Sequence, residues 1–519
     1  MVFSSFDFLL WFLPFCILVY NFAHKPNKNL VLLFFSIVFY AYGALETPSY
    51  LYLILTSVVV NWIVGMMIGR RDRYKKLWLT AGLIWDFGCL FVFKYLDFFI
   101  RTINGVLPDD SHLPLTELIL PLGISFFTFQ IASYLIDVYR GSVKVEYNLI
   151  DLGTYILFYP QLIAGPIVRF SDIQTELHDR QVRSKEFTDG LQLFIIGLGR
   201  KVLLANQLGG LWDDLIEVGY ESIGTPTAWL GIAAYSMQLY FDFSGYSQMA
   251  IGMGMMFGFH FPQNFRHPYL SITMTEFWRR WHMTLGTWFK EYVYFPLGGN
   301  RKGKRRMYLN MFIVWTLTGL WHGADWNFIL WGMFLFGIMA IEKHGLGKWM
   351  EKHRGIGHLY MLLLIPLSWM LFAISDLSEI GMYFRKLIGL GGPALLENEA
   401  AHYLEIYGKW LLLGLLFCTA FPENLFKRMQ KREKWPASRW FWIAETAFIV
   451  LLCIFGKHIL PLLFIPVIVG REYLYNHQPQ RIRPVLSYFF WVPELLVIFG
   501  ASCYCIYVGM NDPFLYFRF

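Results

Sequence analysis

Long apolar runs recur along the whole 519-residue chain, among them LVLLFFSIVFYAYGAL (30–45), LYLILTSVVVNWIVGMMIG (51–69) and LYMLLLIPLSWMLFAIS (359–375). Each approaches the ~20 residues a helix needs to cross hydrocarbon, where no water satisfies the backbone. Charged residues make up only 16% of the chain, against about a quarter in soluble proteins. The pattern predicts an all-α polytopic membrane protein. Its expected form is roughly 11–14 transmembrane helices, with re-entrant and interfacial amphipathic helices, around a central channel.

Charge gives an orientation. Basic residues dominate 70–76, 258–306 and 427–439, whereas 208–225 holds acids without Lys or Arg and 375–409 is acid-rich. The positive-inside rule places the first group in the cytoplasm and the second outside. The alternation closes if the N-terminus is external and 150–168 does not cross. Pro160 and Gly165-Pro166 interrupt that segment, so a re-entrant or surface-lying course is expected. The net charge of +7 then reports loop orientation and contact with lipid, and no nucleic acid is expected. The first apolar run lacks a basic leader and a cleavage site, and reads as a retained helix. Cysteines 16, 89, 418, 453, 503 and 505 show no metal-ligand spacing and read as small buried hydrophobes; no metal is expected. No linker or internal repeat divides 1–519, which reads as a single integral domain.

TGLWHGADWNFILWG (318–332) sets one histidine, His322, beside Trp321 and Asp325 inside an apolar region. The basic stretch 301–306 fixes the start of a helix over 307–321, and a second helix over about 326–341 returns to basic residues. Gly323-Ala324 is then the tip of a hairpin. Fifteen residues at ~1.5 Å rise cover about 22 Å against about 30 Å of hydrocarbon. The tip should stop short of the outer surface and be reached by an opening from outside. A plain hydrogen bond to a neighbouring helix is the competing role for His322, but an imidazole at membrane depth points first to function.

TEFWRRWHMTLGTWFKEYVYFPLGGN (275–300) reads as an interfacial amphipathic helix starting near Thr275. Trp278, Trp281, Leu285, Trp288, Phe289 and Tyr292 share one face; Arg279 and Arg280 lie opposite, with His282 at the margin. Membrane anchoring alone would also account for the aromatic stripe. In 226–257 the polar residues Gln238, Asp242, Ser244, Tyr246 and Gln248 cannot share one helical face, so a bend near Gly245 is expected. Asp242 must be paired or neutral, either orienting a catalytic group or tying helices. Gly231, Gly245, Gly252 and Gly254 favour close helix packing.

Five blocks carry a family resemblance: LPLGISFFTFQIASYLIDVYRG (120–141), FYPQLIAGPIVRFSDI (158–173), YFDFSGYSQMAIG (240–252), 261–301 and 318–332, with DPFLYFRF (512–519) closing. In this order they resemble the membrane-bound O-acyltransferases, in the bacterial polysaccharide-acetylating branch. The resemblance covers about 1–340 and leaves 341–519 as additional apolar helices. It departs at Gln248, where relatives often carry an acid, and at 333–337, which lack a histidine some relatives have. It implies an acyltransferase of the bacterial cytoplasmic membrane, multi-pass, with an essential histidine at His322 and a second at His282. Trp278, Arg279, Arg280, Trp281, Asp242, Ser244, Tyr246, Trp321 and Asp325 become candidates for the channel or donor site. The implied donor is an acyl thioester such as acetyl-CoA, with no tightly bound cofactor. The implied external partner is an SGNH-type acetyl-transfer protein or the polysaccharide itself. D-alanyl transfer to teichoic acid from a carrier protein is the neighbouring alternative. A proton-coupled transporter using Asp242 and His322, or a non-catalytic scaffold, are alternatives of other classes.

Overall fold

The computed structural model describes residues 1–70, 73–390, 397–422 and 483–509. The basic stretch 427–439, Cys453 and the closing DPFLYFRF lie outside them. Every regular element among the described residues is helical. Three helices are apolar and long enough to cross a bilayer on their own: Ser49–Gly69, Trp326–Lys352 and Arg354–Ala373. Large apolar side chains such as Trp11, Phe22, Tyr52, Leu77 and Leu362 stand exposed, while Asn61, Gln130, Thr154, Gln161, Lys201 and Asn310 are buried. That reversal suits a protein whose outer surface meets lipid and whose polar groups pair inside.

The longest described helix, Thr225–Met256, has 32 residues and buries most of them. It runs unbroken through Gly245, where a bend was expected. Protein surrounds this helix, so its polar residues need no common face: Gln238 lies against Gly209 and Tyr246 against Phe3. Asp242 pairs with Lys201 at 2.8 Å, both side chains buried. Gly245 serves contact instead of bending: a Cβ there would lie 2.7 Å from the Gly197 carbonyl oxygen, and one at Gly252 2.4 Å from that of Gly190. The Ser184–Gly199 helix therefore lies backbone against backbone on the long helix, the close approach that small residues permit.

The interrupted segment is broken as its prolines and glycine require. Leu149–Leu157 is followed by a four-residue helix, Tyr159–Leu162, and then by non-helical backbone. All of 151–168 is buried, so the segment enters the protein and does not lie on its surface. Side chains serve the freed backbone groups. Ser36 Oγ accepts from Tyr159 N at 3.2 Å, Thr284 Oγ1 accepts from Ile167 N at 3.0 Å, and Tyr155 OH donates to Val168 O at 3.1 Å. Non-helical backbone at this depth is tolerated only when so covered.

Gly252→Leu is expected to lower stability by about 1–3 kcal/mol through overpacking. Gly337→Leu, whose Cβ would meet nothing within 4 Å, should leave it unchanged. Thermal unfolding of the two purified variants in detergent measures the difference.

Candidate active site

The hairpin forms where expected. Helix Lys304–His322 ends on the histidine itself, and Trp326–Ile341 returns after a three-residue turn. The two helices close through glycines: a Cβ at Gly319 would lie 2.3 Å from Phe328 O, and one at Gly332 2.3 Å from Trp315 O. A helix end leaves its last carbonyls without partners. Here Tyr95 OH donates to Leu320 O at 2.9 Å. The Lys94 ammonium donates to Trp321 O at 2.5 Å, to His322 O at 3.2 Å and to Ser125 Oγ at 3.4 Å. A cation on these carbonyls also opposes the negative end of the helix dipole. Lys94 was not among the expected site residues, although the signal was present: it is a lone cation inside LFVFKYLDFF (90–99).

Rings crowd the imidazole. Trp321, Trp331 and Phe372 have centroids 4.9, 5.1 and 5.2 Å from that of His322. Trp321 also reaches His282 at 5.9 Å, so one indole touches both histidines. Each imidazole keeps a buried Nε2 with no hydrogen-bond partner among the described residues. Two such orphaned ring nitrogens near one indole are unusual, since buried polar atoms are ordinarily paired. The His322 Nε2 is covered, while the residue as a whole keeps 7% of its surface exposed. Two cavities, of about 430 Å³ beside Ser5, Asp7 and Asn206 and of about 670 Å³ beside Tyr308, Phe336 and Trp349, lie elsewhere. Asp325, expected beside the histidine, is exposed at the tip.

The amphipathic helix expected within 275–300 is broken into Met274–Trp278 and Met283–Phe289, the latter continuing as a π-helix over Lys290–Tyr294, with His282 at the break in left-handed backbone at φ 44°. Asn264 makes the break. Its carbonyl accepts from Met283 N at 2.9 Å and its Oδ1 accepts from Thr284 N at 3.3 Å. Those N–H groups would otherwise continue the helix. The start is Thr273, whose hydroxyl accepts from Glu276 N at 3.1 Å. Thr275 instead donates to Glu342 Oε2 at 2.6 Å. Nor does the aromatic stripe face acyl chains. Trp281 packs on Phe265 and Trp369 at 5.0 and 4.9 Å, Trp288 stacks on Phe129 at 3.9 Å, and Trp278 meets Trp315 at 4.9 Å. In a bundle with these partners available, ring-on-ring packing replaces lipid contact.

The remaining candidates divide. Arg279 is exposed, while Arg280 is engaged with Glu276 at 2.6 Å. Tyr246 stacks on Phe3 at 4.5 Å and Ser244 is buried. The long helix meets His282 through Phe243, at 4.7 Å. Asp242, held by Lys201, ties helices. Phe243, Asn264 and Ser247 join the site only by folding, since nothing local in the sequence marks them. A separate group, Glu146, Asp151 and His178, has metal-ligand spacing. There the ring turns Nε2 to Glu146 at 3.0 Å and Nδ1 toward Asp151 at 3.7 Å. Different nitrogens facing the two carboxylates is the arrangement of an ion pair.

Comparison with known proteins adds an independent line. The sequence profile of MBOAT, the membrane-bound O-acyltransferase family, matches residues 140–352, which include both histidines. The chain is 37% identical to the probable alginate O-acetylase AlgI of Pseudomonas aeruginosa over 84% of each chain. It is 34% identical to the peptidoglycan O-acetyltransferase of Helicobacter pylori, over 88% of this chain and 94% of that one. Similarity to the teichoic acid D-alanyltransferase of Bacillus subtilis is 29%, over 47% of this chain and 64% of the relative.

Lys94→Met removes a charged donor from the carbonyls at the end of the histidine helix. A stability loss of about 1.5–3 kcal/mol is expected, read from thermal unfolding, with Lys94→Arg recovering part of it.

Proposed function

The chain belongs to the membrane-bound O-acyltransferase family, and from that premise we propose that it carries an acetyl group from a cytoplasmic thioester, acetyl-CoA, to a hydroxyl outside the bacterial cytoplasmic membrane. The acceptor is a cell-surface or secreted polysaccharide, reached directly or through an external SGNH-type protein. Acetyl is favoured over D-alanyl because the relatives named for O-acetyl transfer match at 34–37% identity over 84–88% of the chain, and those named for D-alanyl transfer at 26–29% over 47–62% of it.

The observation that carries this reading is the pair of buried imidazoles whose Nε2 atoms lack protein partners, both in contact with Trp321. A hydroxyl is a poor nucleophile at neutral pH, whereas a thioester carbonyl is a ready electrophile. The catalyst must take the hydroxyl proton as the C–O bond forms and the C–S bond breaks, and it must keep water from the thioester. His322 is assigned as the general base at Nε2. The proton it takes is returned to the departing thiolate. His282 lines the thioester route. Arg279, Lys302 and Arg305, exposed in the basic stretch, hold the phosphates of the carrier through charge-assisted bonds. Aromatic walls exclude water, and the rings around His322 must part to admit the two substrates.

His322→Ala is expected to lower product O-acetylation by about 10²–10⁴-fold at unchanged membrane protein level. Base-labile acetate released from the polysaccharide of cells carrying the variant measures this. Wild-type acetylation at normal expression would remove the assignment.

A further inference from the structure

We propose that Asn264 is a positioning residue for acyl transfer, fixing His282 with its proton on Nδ1 and a bare lone pair on Nε2. The inference rests on the reading above, in which His282 belongs to the reaction site.

The argument begins with the Asn264 amide. Its two ends are told apart by groups whose character is fixed. The atom assigned Oδ1 receives the Thr284 backbone N–H at 3.3 Å, and a backbone N–H can only donate. The same atom accepts from Thr284 Oγ1 at 2.9 Å, while that hydroxyl's oxygen already receives the Ile167 backbone N–H at 3.0 Å. The other end, Nδ2, donates to Ser247 Oγ at 2.9 Å. A flipped amide would set NH₂ against a backbone N–H. The oxygen therefore faces His282.

His282 Nδ1 stands 3.1 Å from that oxygen. An amide oxygen has no proton to give, so the hydrogen bond exists only if Nδ1 carries the hydrogen. In the neutral ring, Nε2 is then an acceptor. That Nε2 is buried and has no partner among the described residues, leaving it one capacity toward a substrate, the acceptance of a proton. The backbone of Asn264 completes the clamp by accepting from Met283 N at 2.9 Å. This holds His282 in a left-handed conformation that a non-glycine residue adopts at some cost. The same logic, in which a third group selects the tautomer of a catalytic imidazole, governs hydrolase triads, where the wrong tautomer abolishes most activity.

The test is a pH–rate profile of acetyl transfer from acetyl-CoA in membrane vesicles, from about pH 5 to about pH 9. Asn264→Ala removes the acceptor; kcat should fall by about tenfold to a hundredfold, with KM little changed. Asn264→Asp puts a carboxylate against Nδ1–H and stabilises the imidazolium. It should recover part of kcat while moving the acidic limb to higher pH by about one unit. A merely structural Asn264 would scale the profile without moving the limb, and a wild-type limb in a well-folded Asn264→Asp overturns the proposal. Should that variant melt early, Ser247→Ala decides. It frees the Nδ2 end of the amide and should lower kcat at unchanged KM; wild-type kcat would overturn the inference. His282→Ala separates the two levels. Full activity in His282→Ala sinks the assignment of His282 itself. Its inactivity alongside an unmoved limb in Asn264→Asp sinks only the role of Asn264.

Discussion

A helix that ends inside a membrane protein leaves carbonyl oxygens where water does not reach, and the position of His322 depends on how they are satisfied. The Lys304–His322 helix meets this constraint with groups from another part of the chain: Tyr95 on Leu320 O, and Lys94 on the carbonyls of Trp321 and His322. An ammonium whose partners among the described residues are two backbone carbonyls and one hydroxyl is an uncommon arrangement. It is explained by the negative end of the helix dipole and by the cost of leaving buried acceptors unpaired. The histidine is thereby placed at the end of a rigid element and not on a mobile loop, which suits groups that must meet reacting atoms accurately.

The same economy of backbone groups organises the inner side. Asn264 draws two N–H groups out of a would-be helix, breaks it at His282, and so turns an amphipathic sequence into a folded corner. Thr284 in turn accepts from Ile167 of the re-entrant segment. Both histidines are thus placed by hydrogen bonds to residues distant in the chain, and Trp321 makes them neighbours. The aromatic residues that surround them do two tasks at once. They supply the packing that holds short helices together, and they enclose both imidazoles.

Burial also shapes what the resting structure presents. The His322 Nε2 is covered, and the rings of Trp321, Trp331 and Phe372 stand around the imidazole. Enclosure of this kind is consistent with a donor that water would hydrolyse. Close glycine contacts between the Ser184–Gly199 and Thr225–Met256 helices leave no room for side chains between their backbones.

By itself the sequence determined the membrane-spanning helical class, the hairpin turning at Gly323, the interruption at Pro160 and the requirement that Asp242 be paired or neutral. Each follows from local rules: apolar length, glycine and proline conformation, and the cost of a lone buried charge. It also pointed to His322 and His282, through residue type in an apolar setting and through the ordered family blocks. Only the tertiary structure decided that the 275–300 stretch breaks, that its aromatic face meets protein, that Thr225–Met256 stays unbroken, and that Lys94 and Asn264 serve the two histidines. Helical periodicity says which residues share a face but not what that face will meet. A backbone N–H chooses between its own helix and a distant acceptor only when folding brings that acceptor within about 3 Å.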